Sequence, residues 1–265
     1  MALASGLRPL QVFILLLSAR ILSVFLVQTW YVPDEYWQTL EVAHKHVFGY
    51  GELTWEWQKG IRSYLYPSVV SAIYYALKLT SLDYPTIVVL APRIFQAILS
   101  AFADFSFYKW SGNRKWALFV ILTSWFWFYT ASRTLLQTTE TALVAIALSM
   151  FPFKAGKPSY YEKGKEKSLL IVIKFVLPLL PMLMYLAQDV IVPWSRKAKK
   201  WQLYTLAGLL VVGNVAPAFY FGTVHQSGPL RVMPLLREEI KDNKTSVLFL
   251  MPCHSTPLYS YQKVK

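Results

Sequence analysis

A predominantly apolar run from Leu10 to about Val27 constrains this chain more than any other feature of it. A helix of about 20 apolar residues crosses a hydrocarbon core, because lipid offers backbone groups no partner outside the segment. The run is longer than the roughly 7–15 apolar residues of a secretory signal, and no A-x-A-like site closes it, so it reads as a retained anchor. Further apolar stretches follow at Tyr66 to Leu79, Pro85 to Tyr108, Trp116 to Thr130, on to Phe153, Leu169 to Ala187 and Leu203 to Tyr220. Hydrophobic residues make up 55% of the chain and aromatics 16%, too much for a water-soluble domain of this size. The expected fold is an all-α polytopic membrane protein.

The formal charge of +13 does not point to nucleic acid. Lys and Arg stand in short groups beside apolar runs, such as Arg196-Lys197-Ala198-Lys199-Lys200, as membrane anchoring and headgroup contact require. No nucleic-acid-binding module is visible, no internal repeat, and no G-x-x-x-x-G-K-[ST] loop for nucleotide hydrolysis. Cys253 is the lone cysteine and forms no intrachain disulfide; beside it His254 lacks the spaced partners of a metal site, so no metal is expected. Beyond Phe221 the chain reads as a small soluble C-terminal segment, with an amphipathic helix over Val232 to Ile240, a strand over Ser246 to Met251 and a glycosylation sequon at Asn243-Lys244-Thr245.

Charges inside the apolar runs need partners. Arg20 sits mid-run, where an arginine costs about 2.5–3.5 kcal/mol to insert, so it should face other helices or a polar cavity. Arg93 and Asp104 share one run but lie about 16 Å apart along a helix axis, too far to pair with each other. Such charges also motivate a transport pathway.

Between the first two apolar runs lies the richest stretch, Trp30 to Tyr66. Its adjacent carboxylates Asp34 and Glu35 follow a span and a proline, where burial and nearby cations tune a carboxylate to take a proton from a hydroxyl; solvated loop charges would also sit there. Leu40 to Val47 and Glu52 to Ile61 read as short amphipathic helices at the membrane surface, with Trp55 and Trp57 at headgroup depth or in an ordinary aromatic belt. Arg133 and Glu140 are seven residues apart and would share one helix face, as a structural ion pair or as cavity lining.

Pro33-Asp34-Glu35, Gln38, Gly51, Leu53-Thr54-Trp55-Glu56-Trp57 and Arg62-Ser63-Tyr64 before Tyr66-Pro67 together resemble the first luminal loop of the alpha-mannosyltransferases that use dolichyl phosphate mannose. The wording is most similar to the branch acting in GPI-anchor assembly, and Leu248 to Pro257 resembles the tail of the same branch. Arg133-Thr134-Leu135 through Glu140 resembles a further motif of the group. The resemblance implies a glycosyltransferase-C-like membrane enzyme of the endoplasmic reticulum that moves a third, alpha-1,2-linked mannose from dolichyl phosphate mannose to a GPI precursor glycolipid with inversion. Under it Asp34 is the general base and Glu35 its support. Arg62 and Ser63 meet the donor phosphate region, Trp55 and Trp57 pack on sugar or polyprenyl chain, and Gln38, Arg133 and Glu140 line the substrate cavity. No cofactor is implied; the partners are the donor, the acceptor glycolipid and the bilayer.

The chain departs from the family in one place. Members are longer and carry His-Lys-Glu-x-Arg/Lys-Phe before a proline-containing helix, whereas here Ile171-Val172-Ile173-Lys174-Phe175 leads into Leu177-Pro178. A central block between about Ser168 and Lys174 therefore looks removed, and a truncated, inactive form is the alternative to an active one. The expected organisation is a membrane module over 1–153 with the luminal loop 30–66, a basic polar loop over 154–168, membrane helices over 169–221 and a soluble tail over 222–265. Counting spans from a cytoplasmic N-terminus puts the acidic loop in the lumen but also the lysines of 154–167, against the positive-inside tendency. Either Trp116 to Phe153 contains a re-entrant pair or the count is wrong.

Overall fold

The computed structural model describes residues 8–111, 114–150, 176–239 and 257. These are helical throughout, with no strand among the described residues: α1 Pro9–Leu26, a π turn at Tyr36–Leu40 leading into α2 Glu41–Phe48, α3 Trp55–Gln58, α4 Leu65–Leu79, α5 Pro85–Trp110, α6 Arg114–Thr123, α7 Trp125–Thr130, α8 Leu136–Met150, α9 Val176–Lys197, α10 Lys200–Phe219, a second π turn at Tyr220–Val224, and α11 Gly228–Glu239. Among the described residues three stretches are long and apolar enough to cross a membrane, Pro9–Leu26, Pro85–Trp110 and Lys200–Glu238. The strand expected at Ser246 to Met251, the sequon and the Cys253-His254 pair lie outside the described residues.

Two compact units divide the chain, one within Met1–Ser23, Ala97–Ser132 and Gln137–Phe219, the other within Val24–Gln96, Arg133–Leu136 and Tyr220–Lys265. The division does not follow chain order, since residues 1–153 contribute to both.

In the first unit, Val12, Leu16 and Arg20 recur every four residues and so occupy one face of α1; all three are buried, while Leu10, Ile14 and Leu22 stay exposed. Val12 and Leu16 pack with Phe107 and Tyr108 of α5 and with Ala117, Leu118 and Ile121 of α6. Ala103, Ala142 and Ala145 bring α5 and α8 together, the small-residue contact that lets helix backbones approach closely in lipid. Arg20 then meets its partners. Its Nε donates to Asp104 Oδ2 at 2.6 Å and its Nη2 to the Ile121 carbonyl at 3.2 Å. Trp127 Nε1 donates to the other Asp104 oxygen at 2.7 Å, and its ring lies 5.7 Å from the guanidinium. Arg20 thus faces other helices, as its mid-run position requires.

In this unit Pro181 and Pro193 lie inside α9, which runs to Lys197. The expected stretch from Trp116 to Thr130 is divided: α6 and α7 have 10 and 6 residues and part at Ser124, each too short to cross alone. That segmentation is what a re-entrant pair needs. α10 buries no residue, leaving Leu209, Val212 and Phe219 exposed as a lipid-facing helix would.

The second unit forms around Trp30, Tyr36, Leu40, Ala43, Val70, Tyr74, Val88 and Leu230. α2 and its preceding π turn lie on α4. Gly49 ends α2 in the left-handed region at φ 82°, its N–H closing on Lys45 O, a backbone state that glycine reaches without a Cβ penalty. The start of the tail, to residue 239, packs into this unit. Trp30 N–H donates to Gln226 O at 2.9 Å, Gln28 N–H to Gly222 O at 2.8 Å, and Leu230 of α11 enters the core. A Cβ on Gly222 would meet Val27 Cγ2 at 3.7 Å. Arg93 of α5 donates from Nη2 to Val27 O at 2.7 Å, so neither charge of that run pairs with the other.

Removing one member of a buried pair leaves the other uncompensated, at a cost of about 3–5 kcal/mol, whereas removing both costs much less. Arg20→Leu and Asp104→Leu each lower the thermal unfolding temperature of detergent-solubilised protein, and the double variant recovers most of the loss.

Candidate functional site

The acidic loop begins as a tight turn. Pro33 O accepts the N–H groups of Tyr36 at 3.1 Å and Trp37 at 3.0 Å, so Asp34 and Glu35 open the helical stretch that passes through the π turn into α2. π turns insert an extra residue into a helix and recur at functional sites. Trp30 stacks on Tyr36 with ring centroids 4.8 Å apart and planes 4° from parallel, which fixes the turn from the span side.

This geometry gives two neighbouring carboxylates different environments. Glu35 points inward and accepts from Arg133 Nη1 at 2.8 Å, with both side chains 1% exposed. Arg133 Nη2 donates to Thr29 O at 2.8 Å and to Thr29 Oγ1 at 3.1 Å, and its guanidinium lies 5.5 Å from the Tyr31 ring centroid. A charge pair this deep is tolerable only when the remaining donors are satisfied, and Thr29 supplies those acceptors. Asp34 is half-buried and has no ion pair among the described residues. The Asp34 carboxylate reaches Arg62 only through space, adding to the Glu56 hydrogen bonds that raise the arginine's pKa above its ordinary value.

Arg62 is held by Glu56 through two hydrogen bonds, Nε at 3.1 Å and Nη2 at 3.0 Å. A guanidinium has five N–H donors, so the Nη1 edge stays available while Glu56 fixes the plane. The other residues singled out from sequence fall on different footings. Trp57 is buried and packs on Tyr64 at 4.7 Å, but Trp55 is 63% exposed. Ser63 is exposed and its Oγ accepts the Leu65 N–H at the start of α4. Gln38 is half-buried within the π turn. The shared helix face of Arg133 and Glu140 is corrected: α8 begins at Leu136, so Arg133 precedes it, and Glu140 is exposed while Arg133 is buried. Arg133 is committed to Glu35 rather than presented to a cavity. Among the described residues no group of three His, Cys, Asp or Glu side chains is placed to hold a metal. Two cavities lined by described residues, about 20 Å³ beside Asp104 and about 140 Å³ beside Lys115, lie in the first unit.

Sequence reasoning missed Thr29, Tyr31 and Glu56. The signal for the first two was the need of Arg133, in apolar surroundings, for a partner that its own helix did not contain; Glu56 was readable as the acid six residues before Arg62.

Known proteins extend this geometry. A model of the Alg9-like mannosyltransferase family matches residues 11–174 and, in a second piece, 173–263. The chain belongs to that family. Within it, the chain is 36% identical to GPI mannosyltransferase 3 of Drosophila melanogaster, over 94% of this chain and 69% of the relative. It is 30% identical to GPI alpha-1,2-mannosyltransferase 3 of Danio rerio over 94% of this chain and 72% of that one. Against the Homo sapiens protein of the same name it is 43% identical over 61% of this chain and 30% of that one. The Drosophila alignment runs over 389 positions although this chain has 265 residues, so an internal block of that mannosyltransferase has no counterpart here. The family match divides at residues 173–174, beside the place where the motif wording breaks. No solved structure matches.

Two outcomes test the site's physics. Glu35→Gln leaves Arg133 buried without its anion and lowers stability by about 3–5 kcal/mol, while Asp34→Asn leaves the thermal unfolding temperature within a degree or two. His44, buried against Phe48 and Tyr50, has its imidazole pushed down by burial from 6.5 to about 4. The unfolded chain therefore binds the extra proton first, so stability is complete above pH 6.5 and is lost as pH falls toward 4. His44→Phe flattens that acid limb in pH-dependent unfolding.

Proposed function

We propose that this chain transfers the third, alpha-1,2-linked mannose from dolichyl phosphate mannose to a GPI precursor glycolipid in the endoplasmic-reticulum membrane. The names of its Drosophila and Danio relatives support the reaction class. The observation that carries the assignment of roles is the division between two adjacent carboxylates, one locked by Arg133 and the other left unpaired.

Asp34 acts as general base. The acceptor hydroxyl oxygen attacks the anomeric carbon of the donor, the bond from that carbon to the phosphate oxygen breaks with inversion, and Asp34 takes the hydroxyl proton. Dolichyl phosphate leaves with the electron pair. Glu35 does not share the proton; its pairing with Arg133 fixes the turn on which Asp34 stands. Arg62, oriented by Glu56 and cationic at any working pH, presents its Nη1 edge to the phosphate, where two parallel N–H bonds match the oxygens and offset the departing charge. Trp55 and Tyr64, both exposed, offer apolar ring surface for sugar or polyprenyl, with buried Trp57 backing Tyr64, and Gln38 offers a hydrogen-bonding amide beside the base.

A second reading, substrate binding without turnover, is favoured by the internal block that the Drosophila relative has and this chain lacks, because a preorganised cavity needs its other wall. Complementation separates the two. In cells lacking the third GPI mannose, the parent chain restores surface GPI-anchored protein, and Asp34→Asn, at equal protein level, falls about 10²–10⁴-fold in transfer, the usual contribution of a positioned base. Rescue by Asp34→Asn equal to the parent removes Asp34 from the reaction, and failure of the parent establishes the second reading.

A further inference from the structure

We propose that the crevice between α6, α9 and α10 is a discrete binding site for one anionic glycerophospholipid, its acyl chain in the crevice and its phosphate among the cations at the crevice mouth. This lies in the first unit and does not depend on the transferase reading.

The crevice, of about 140 Å³, is lined by Trp116 and Phe119 of α6, Ile191 and Val192 of α9, and Leu203, Leu206, Ala207 and Leu210 of α10. A crevice of that size with mostly apolar walls favours hydrocarbon over water, here several methylenes of a chain. Its two polar lining residues lie toward one end of the helices. Lys115 stands in the first turn of α6, and Ser195, whose hydroxyl donates to Val192 O at 2.8 Å, stands in the last turns of α9. The residue after Ser195 begins the corner Arg196-Lys197-Ala198-Lys199-Lys200, where α9 ends and α10 starts.

All four cations of that corner and Lys115 are exposed, and among the described residues none has an ion-paired carboxylate. Trp194, Trp201 and Tyr204 are exposed beside them at 43%, 64% and 76%, as residues at headgroup depth are. Apolar walls, a cationic mouth and flanking aromatics together match an amphiphile with one negative head. The charge decides between lipids. A zwitterionic head brings its own cation into a cluster that is already positive, whereas phosphatidylserine or phosphatidylinositol brings net negative charge.

Native mass spectrometry of the full chain, delipidated and then offered phosphatidylserine or phosphatidylcholine, tests this against diffuse surface attraction. The parent retains one phosphatidylserine in preference to phosphatidylcholine. Lys115→Gln, an exposed change outside the packed core, lowers the preference about fivefold, the factor that one lysine near an anionic surface carries. Ala207→Phe fills the crevice without touching a charge and abolishes the retained lipid, with thermal unfolding recorded to show the variant folded; Ala207→Leu gives a smaller loss in the same direction. Retention that Ala207→Phe leaves unchanged while Lys115→Gln weakens it means diffuse attraction alone and overturns the proposal. Equal retention of both lipids by the parent, or a dimer that excludes lipid from the crevice, overturns it as well.

Discussion

A glutamate and an arginine 98 residues apart in sequence hold the acidic loop in shape. Buried at 2.8 Å with 1% exposure on each side, Glu35 and Arg133 cannot separate without leaving a bare charge in a low-dielectric interior. Thr29 takes the arginine's remaining hydrogen bonds, so the segment leaving α1, the turn at Pro33 and the loop before α8 meet at one guanidinium. The turn in turn sets Asp34 one position away from the pair, in contact with solvent and within the field of Arg62. A rigid anchor next to a carboxylate without an ion pair among the described residues suits the proton transfer proposed for Asp34, because that side chain can change charge while its neighbour keeps the backbone still.

The same logic explains the charges placed in apolar helices. Arg20, Asp104 and Arg93 first read as possible markers of a transport route. Arg20 and Asp104 are instead satisfied by each other, by Trp127 and by a backbone carbonyl, while Arg93 donates from Nη2 to the Val27 carbonyl and keeps a buried Nε without a partner. The Arg20–Asp104 pair ties helices together rather than lining a path.

The sequence told more about membership than about packing. Span length gave α1 and α5 nearly to the residue, because crossing a bilayer fixes helix length, and polar interruptions on either side bounded α4. Which face of α1 turns inward was not legible from apolar periodicity, since lipid and protein core both accept Leu and Val; only Arg20 marked the buried side. The site's motif residues stood out in the sequence, but their partners did not. Arg133 appeared to belong with Glu140 by helical spacing, and the helix begins three residues later, at Leu136. The packing of the tail against Trp30 was equally hidden, because Gln226 and Gly222 take part through backbone oxygens, which no side-chain pattern reports.

Consider the order in which the ribosome delivers Arg20 and Asp104. α1 leaves the tunnel 84 residues before its counter-charge, so during that interval it carries an arginine whose insertion costs about 2.5–3.5 kcal/mol. Until α5 is made, the apolar residues of α1 alone must offset that cost, and the counter-charge that relieves it arrives only with the later helix.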